Sequence, residues 1–202
     1  MSALTQRQRE LLIGSILGDG CVSVRKNRNN CWYYVKQSDT NKEYLFWLHK
    51  EFANLCPSGP KQRRDNKQWY FSTTTLGELN WYGEKFYPDG KKMIPRDINQ
   101  ILVSPLSVAV WYMDDGTLDY RPCYHCSFSI STHCFSESDA NLLKDALFDN
   151  FGIRARVYNN LIRGIRYPRI YIGSEGRKKF YRLVEPYILD CFRYKLPPEF
   201  TL

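Results

Sequence analysis

The pattern of apolar and polar residues predicts one series of helices and strands that occurs twice along the chain. In the predicted helices apolar residues recur at three- and four-residue spacing, whereas the predicted strands alternate apolar and polar positions. In the first half the elements are a helix at 12–20, strands at 21–26 and 31–37, a helix at 42–55, a strand pair within 59–74 and a helix from Leu76. In the second half they are a helix at 108–116, strands at 117–120 and 124–131, a helix at 137–151, a strand pair within 153–174 and a helix from Gly176.

The two series keep one order and end alike, which indicates an internal duplication. The first half closes on Lys92-Met93-Ile94-Pro95 and the second on Tyr194-Lys195-Leu196-Pro197. Several shared elements in the same order are stronger evidence of a repeat than one shared motif. We therefore predict an α+β fold built from two pseudo-symmetric αββαββα repeats, which cover residues 1–100 and 101–202.

Both apolar motif helices end in the dipeptide Asp-Gly, which places Asp19 and Asp115 at equivalent positions. A glycine after a helix is a common cap, but a carboxylate at a helix C-terminus opposes the helix dipole. Small residues such as Gly14, Ser15 and Gly18 let two helices pack closely, so we expect the two aspartates to meet. Converging carboxylates repel each other unless a cation lies between them, and this placement, made twice, favours a functional role.

The composition points to a polyanionic partner. The chain has 29 Lys plus Arg against 21 Asp plus Glu and a net charge of +8, which favours nucleic acid or an acidic membrane surface. Fifteen tyrosines and five tryptophans suit bases and sugars better than lipid head groups. No apolar run approaches the roughly 20 residues of a membrane span, which argues against a membrane protein.

The seven cysteines occur without a secretory signal, which indicates reduced thiols in an intracellular compartment. One cluster could in principle bind zinc. It consists of Cys123, His125, Cys126, His133 and Cys134. Because it lacks a second ligand pair at finger-like spacing and falls in strand-like sequence, the pattern disfavours zinc.

The two apolar helices resemble the motif that names the LAGLIDADG homing endonucleases, at Leu12 to Gly20 and at Val108 to Gly116. The order of elements resembles the single-chain, two-repeat members of that family throughout the chain. The resemblance implies that the motif helices form the interface between the two halves. It also implies that each half contributes a saddle-shaped antiparallel sheet along the DNA major groove, with helices on the outer face. Family products carry short 3′ overhangs, so double-strand cleavage is the expected activity.

The resemblance implies a metal site at the end of each motif. Asp19 and Asp115 match the last acidic residue of each motif, which in the family binds divalent metal at the scissile phosphates. Their neighbours Gly18 and Asp114 are further candidate ligands. Mg²⁺ needs only one or two carboxylates together with waters and phosphate oxygens, so no cage of His or Cys is required. We expect Mn²⁺ to substitute for Mg²⁺, and Ca²⁺ to bind without supporting cleavage.

Three further residues are assigned catalytic roles by the same resemblance. Lys92 and Lys195 match basic residues near the end of each repeat that support the transition state. Gln37 lies where family members hold a polar side chain that orders water. Its counterpart in the second half is left open among three neighbours, Ser131, Thr132 and His133.

Alternation along the strands predicts which side chains face DNA. The strand candidates are Arg25, Trp32, Tyr34, Lys36, Tyr70, Arg154, Arg156, Tyr158, Arg169 and Tyr171. The loop candidates, which are expected to contact phosphates, are Lys61, Arg63, Arg64, Arg163 and Arg166. Because the two halves are not identical, a monomer can read a long asymmetric site in double-stranded DNA.

Other functions fit parts of the same pattern. An RNA maturase that assists intron splicing has the same fold, although a pure maturase need not retain both aspartates. A DNA-binding regulator without catalytic activity is a second alternative, and it need not retain them either. A membrane-surface protein is disfavoured because no basic amphipathic helix stands out. The initial Met and the absence of splice-junction residues favour a free-standing or intron-encoded protein over an intein. We expect it in a genome-bearing compartment, namely a mitochondrion, a chloroplast or the prokaryotic cytoplasm.

Overall fold

The computed structural model describes residues 3–24 and 30–198, and the chain forms two compact units, Met1–Lys91 and Lys92–Leu202. Residues 92–100, which the repeat pattern assigned to the first half, therefore pack within the second unit. One reason is visible in the side chain of Asn150. Its Nδ2 donates to the backbone carbonyls of Asn99 and Leu102, at 2.7 and 2.8 Å, and so ties this segment to a helix of the second unit.

The first unit contains the predicted series of elements. They are α1 (Gln6–Leu17), β1 (Cys21–Val24), β2 (Cys31–Gln37), α2 (Lys42–Phe52), β3 (Lys61–Gln62), β4 (Trp69–Ser72) and α3 (Glu78–Phe86). The strands form an antiparallel sheet in the order β1-β2-β4-β3. Helix α1 begins well before the apolar stretch that predicted it, because Thr5 and Gln8 form a reciprocal capping box that satisfies the first free amides.

The second unit repeats this series after one extra helical turn. Its elements are α4 (Ile98–Ile101), α5 (Pro105–Asp115), β5 (Gly116–Arg121), β6 (His125–Ser131), α6 (Glu137–Phe151), β7 (Arg156–Ile162), β8 (Ile165–Ile172) and α7 (Arg177–Val184). The sheet is antiparallel in the order β5-β6-β8-β7, which is the strand order of the first sheet. The predicted pair of αββαββα repeats is confirmed.

Each sheet buries one face against its own helices. In β2 the side chains of Tyr33 and Val35 are fully buried, and the Tyr33 ring lies 5.1 Å from that of Phe52 on α2. In the second unit Phe128 on β6 and Phe180 on α7 are buried with ring centroids 5.1 Å apart. Because side chains alternate along a strand, the opposite face of each sheet carries the polar and aromatic residues.

Across residues 3–24 and 30–198, no helix combines the length and the apolar character that crossing a membrane requires.

Candidate functional site

Asp19 lies in a tight turn that leads from α1 into β1. The Gly18 amide donates to Gly14 and Ser15 carbonyls at 3.2 and 3.1 Å, and the Gly20 amide donates to the Ser15 carbonyl at 2.7 Å. A Cβ atom at Gly20 would lie 2.3 Å from Ser15 Oγ, so only glycine fits this close approach. The turn leaves the Asp19 side chain exposed at the end of the helix. At Gly18 the backbone carbonyl oxygen is the group that could bind a metal, because Mg²⁺ takes oxygen ligands.

Gln37 orients the Asp19 carboxylate. The Gln37 side chain is only 5% exposed, and its Nε2 donates to Asp19 Oδ2 at 2.8 Å. Asn41 Nδ2 in turn donates to Gln37 Oε1 at 3.4 Å. Gln37, the last residue of β2, therefore holds Asp19 in place. The fold thus brings together two residues that are 18 positions apart in the sequence.

Asp115 is the last residue of α5 and is half-buried. Helix α5 thus continues to its aspartate, whereas α1 ends before Asp19. Only glycine fits at the next position, Gly116, as well. A Cβ atom at Gly116 would lie 2.1 Å from the Tyr112 ring and 2.3 Å from the Tyr112 carbonyl oxygen. In both motifs the glycine after the aspartate is therefore needed where the chain passes from helix into strand.

Lys195 caps the end of α5 from inside the second unit. It is 7% exposed, and its Nζ donates to the Met113 carbonyl at 2.5 Å, with the carbonyls of Tyr112 and Asp114 at 3.4 and 3.5 Å. The Tyr112 hydroxyl donates to the Lys195 carbonyl at 2.8 Å, and burial raises the pKa of Tyr112. An ammonium group at a helix C-terminus offsets the helix dipole, so Lys195 supports the helical residues that carry Asp115.

Lys92 is half-buried, and its positive charge lies near Cys134 in the second unit. Desolvation raises the pKa of the Cys134 thiol, while the charge of Lys92 lowers this pKa and that of Asp115 raises it. Both charges therefore lie close enough to Cys134 to influence its ionisation. Cys134 was not predicted as a neighbour of the site, because the strand pattern does not show how the segment after β6 folds back.

Strand register identifies the second-half counterpart of Gln37. Cys21 and Thr117, each two residues after its aspartate, pair with Tyr34 and Ser129 respectively. Counting three residues onward along β2 and β6 makes Thr132 the equivalent of Gln37. The Thr132 side chain is fully buried and its hydroxyl donates to the Pro168 carbonyl at 2.6 Å. Thr132 therefore fastens the chain next to β8, and the two halves differ at this position.

The face of the first sheet that points away from the helices is called the first sheet face, and it carries Trp32, Tyr34, Lys36 and Tyr70. The first three lie on the central strand β2, where they alternate with buried residues as predicted. The Tyr34 and Tyr70 rings are 5.9 Å apart, and Lys61 on β3 lies opposite Tyr70. Arg25, the remaining candidate on a strand of this half, lies outside the described residues.

The corresponding surface of the second sheet is called the second sheet face, and it carries Thr117, Ser127, Ser129, Ser131, Arg156, Tyr158, Arg169 and Tyr171. Across β7 and β8 each cation faces an aromatic ring: Arg156 lies opposite Tyr171, and Tyr158 lies opposite Arg169. These four residues alternate with inward-facing Val157, Ile170 and Ile172, in agreement with the predicted alternation.

The remaining basic candidates lie at the edges of the sheets. Arg63 forms a two-point contact with the Asp65 carboxylate at 3.0 and 2.8 Å, which lowers the pKa of Asp65 to about 2. Arg64 is exposed, Arg163 lies in the turn between β7 and β8, and Arg154 lies 5.6 Å from the Phe148 ring. The prediction that Lys61 and Arg166 lie in loops is wrong, because Lys61 belongs to β3, where it pairs with Tyr70, and Arg166 belongs to β8, where it pairs with Leu161. The prediction that Arg154 lies on a strand is also wrong, because β7 begins at Arg156.

Within the described part of the chain, no group of three or more His, Cys, Asp or Glu side chains gathers in a metal-binding cluster. The metal donors available at each motif are thus the oxygen atoms of one aspartate and its neighbours.

Comparison with known proteins agrees with this arrangement. The model of the LAGLIDADG DNA endonuclease family matches residues 9–180. Cytochrome b mRNA maturase bI2 of Debaryomyces hansenii is 29% identical over 203 residues, which cover 96% of this chain and 74% of the relative. DNA endonuclease I-ChuI of Chlamydomonas applanata is 25% identical over 211 residues, with 96% of both chains covered. The homing endonuclease I-WcaI bound to its DNA recognition sequence has a TM-score of 0.84 at 27% identity, over 98% of this chain and 88% of that one. The chain belongs to the LAGLIDADG DNA endonuclease family.

Proposed function

We propose that this protein is a site-specific homing endonuclease that hydrolyses one phosphodiester bond in each strand of a long, asymmetric DNA site. The observation that carries the proposal is the repeated unit, in which an aspartate at the helix-to-strand turn accompanies a sheet face rich in cations and aromatic rings. The relatives I-ChuI and I-WcaI are endonucleases by name, and the latter was solved on its DNA recognition sequence.

We propose that Asp19 and Asp115 each hold a divalent cation, Mg²⁺ in the cell. The oxygen atoms of these aspartates and their neighbours suit Mg²⁺, because carboxylate and carbonyl oxygens are the ligands that it prefers. Asp19 is also exposed, so a DNA phosphate can approach it. When bound, the cation lowers the pKa of a water molecule and neutralises charge on the scissile phosphate. Gly18 and Asp114 are the adjacent candidates for additional oxygen ligands.

The surrounding residues fix these aspartates. Gln37 donates to Asp19 Oδ2 and so restricts the rotation of the carboxylate. We also propose that Gln37 orders the attacking water. Its side-chain amide lies at the edge of the exposed turn, where it can reach such a water. Lys92 would stabilise negative charge that develops on the phosphate. Its charge lies near Asp115, because both charges influence the pKa of the Cys134 thiol. We propose the same role for Lys195, whose ammonium group also contacts backbone carbonyls of α5 and so supports Asp115 through the helix.

The two sheet faces would bind the duplex. Exposed arginines and lysines neutralise phosphates, and side chains that reach base edges provide specificity. Because the two faces differ in their residues, each half can read a different half-site, and a monomer suffices for an asymmetric target.

A second function, assistance to intron splicing, is favoured by one observation. Cytochrome b mRNA maturase bI2 aligns with 96% of this chain. This chain has both aspartates, whereas a protein that acts only on RNA does not need them. Maturase activity would therefore accompany cleavage rather than replace it.

The proposal is tested by incubating the protein with Mg²⁺ and a randomised duplex library, and sequencing the cut ends. We expect one long asymmetric sequence to be enriched, with breaks in both strands and short 3′ overhangs, and no cutting when the cation is removed with a chelator. Random breaks, or an unchanged library, would contradict a site-specific endonuclease. A splicing assay with an intron that is inserted within the selected site would then test the maturase activity.

A further inference from the structure

The central strands of the two sheet faces differ sharply in side-chain size. Strand register makes Trp32, Tyr34 and Lys36 of β2 equivalent to Ser127, Ser129 and Ser131 of β6. The first sheet face therefore has large side chains along its middle. In the second sheet face the middle is a shallow floor of serine residues, over which a neighbouring side chain can extend.

Arg169 makes use of this space. It lies on β8 opposite Ser131, and its Nη2 donates to Thr117 Oγ1 at 2.8 Å. Thr117 lies on β5, on the far side of β6, so the arginine crosses the whole central strand. In the first sheet face the equivalent pair is Tyr70 and Cys21, with the Tyr34 ring between them. The same crossing is impossible there.

The surroundings of Arg169 limit the donors that its guanidinium group can present. Nε is buried and has no hydrogen-bond partner among residues 3–24 and 30–198, while Nη2 is held by Thr117. The donors that Arg169 can present to a ligand are therefore Nη1 and the second proton of Nη2. Two parallel donors at the end of a guanidinium group that Thr117 holds match the O6 and N7 acceptors of guanine in the major groove.

We propose that Arg169, held by Thr117, is a specificity-determining residue that reads one guanine in the half-site bound by the second unit. This inference rests on the proposed function. Holding the side chain before DNA binds reduces the conformational entropy lost on binding. Arg156 provides the contrast. Its side chain is 83% exposed and forms an ion pair with Glu175 at 3.6 Å, so it suits a phosphate contact.

The test is a binding selection from a randomised duplex library in Ca²⁺, which avoids cleavage, with wild-type protein, Arg169→Ala, Arg169→Gln, Thr117→Val and Arg156→Ala. We expect the wild-type site to contain a fixed guanine at one position of one half. Arg169→Ala should lose the preference at that position alone, by roughly 10- to 100-fold, and Arg169→Gln should shift it toward adenine. Thr117→Val should weaken the same preference without removing the arginine.

Arg156→Ala is the matched control on the same face, and it should lower affinity at all sequences and reduce the salt dependence of binding while leaving the selected sequence unchanged. An Arg169→Ala selection identical to that of the wild type would overturn the assignment. So would a uniform loss of affinity like that of the Arg156 control. If the wild-type protein enriches no sequence at all, the proposed function fails as well, and the two failures are thereby distinguished. Thermal unfolding like that of the wild type verifies that each variant is folded.

Discussion

At the residue scale, the glycine after each aspartate determines where the carboxylate lies. At both positions the chain passes so close to the preceding helix that a Cβ atom would overlap a neighbouring side chain. The Asp-Gly pair of each motif therefore has two separable roles. The aspartate supplies the chemistry, and the glycine allows the strand to start beside the helix end.

Replacement of Gly116 by alanine tests this structural role. The added methyl group would meet both the ring and the carbonyl oxygen of Tyr112 at about 2 Å, so we expect a loss of about 1–3 kcal/mol in the free energy of unfolding. Urea denaturation followed by circular dichroism measures this loss. Gly59→Ala is the matched control, because a Cβ atom there has nothing within 4 Å, and its effect should stay within about 0.5 kcal/mol. Equal stability of the two variants would contradict the close approach.

Gln37 is the second residue whose role can be isolated. Gln37→Leu removes the donor to Asp19 but keeps an apolar stem in a buried position, so the fold should be preserved. We expect cleavage of one DNA strand to slow by roughly 10- to 100-fold, as for other residues that orient a metal ligand. Strand-resolved cleavage kinetics measure the effect. Gln62→Leu, an exposed change on β3 of the same sheet, should cut at the wild-type rate. A wild-type rate for Gln37→Leu as well would remove Gln37 from the site.

At the element scale, the two motif helices end differently although their sequences follow one pattern. Helix α1 closes on amides of Gly18 and Gly20, whereas α5 continues to Asp115 under the Lys195 ammonium group. The ends of α1 and α5 thus position their aspartates by different means. Unequal rates for the two cuts are the expected consequence.

Lys195→Met tests the cap on α5. The substitution leaves the carbonyls of the last turn without their buried donor, so we expect a loss of about 1–3 kcal/mol in stability. Amide hydrogen exchange should speed up in the last turn of α5, and the cut that depends on Asp115 should slow. Lys178→Met, on the exposed side of α7, is the control with no expected change. Exchange at the end of α5 that matches the control would contradict a capping role.

The elements themselves could be predicted from the sequence because their cause is local. Spacing of apolar residues in α6 and alternation in β2 depend on neighbours in the chain, and both elements appear where the pattern placed them. Contacts between distant segments could not be predicted in this way. The sequence pattern shows Lys195 as one basic residue before a proline, and only the fold places it under α5. Likewise Thr132 becomes recognisable as the counterpart of Gln37 only through strand register.

At the scale of the whole molecule, duplication followed by divergence produces two units with the same topology and different surfaces. The first sheet face has aromatic and basic side chains along β2, whereas the second has serines along the equivalent strand β6 and places its arginines on β7 and β8. With a net charge of +8, the chain is suited to a polyanion. In the proposed function each unit supplies one aspartate for one strand of DNA.

The measurement that tests this claim most directly is strand-resolved cleavage of the selected site by Asp19→Asn and Asp115→Asn in Mg²⁺, with DNA affinity measured in Ca²⁺. Each variant should fail to make the double-strand break, while its affinity stays within a few-fold of that of the wild type. Wild-type double-strand cleavage by either variant would contradict the account.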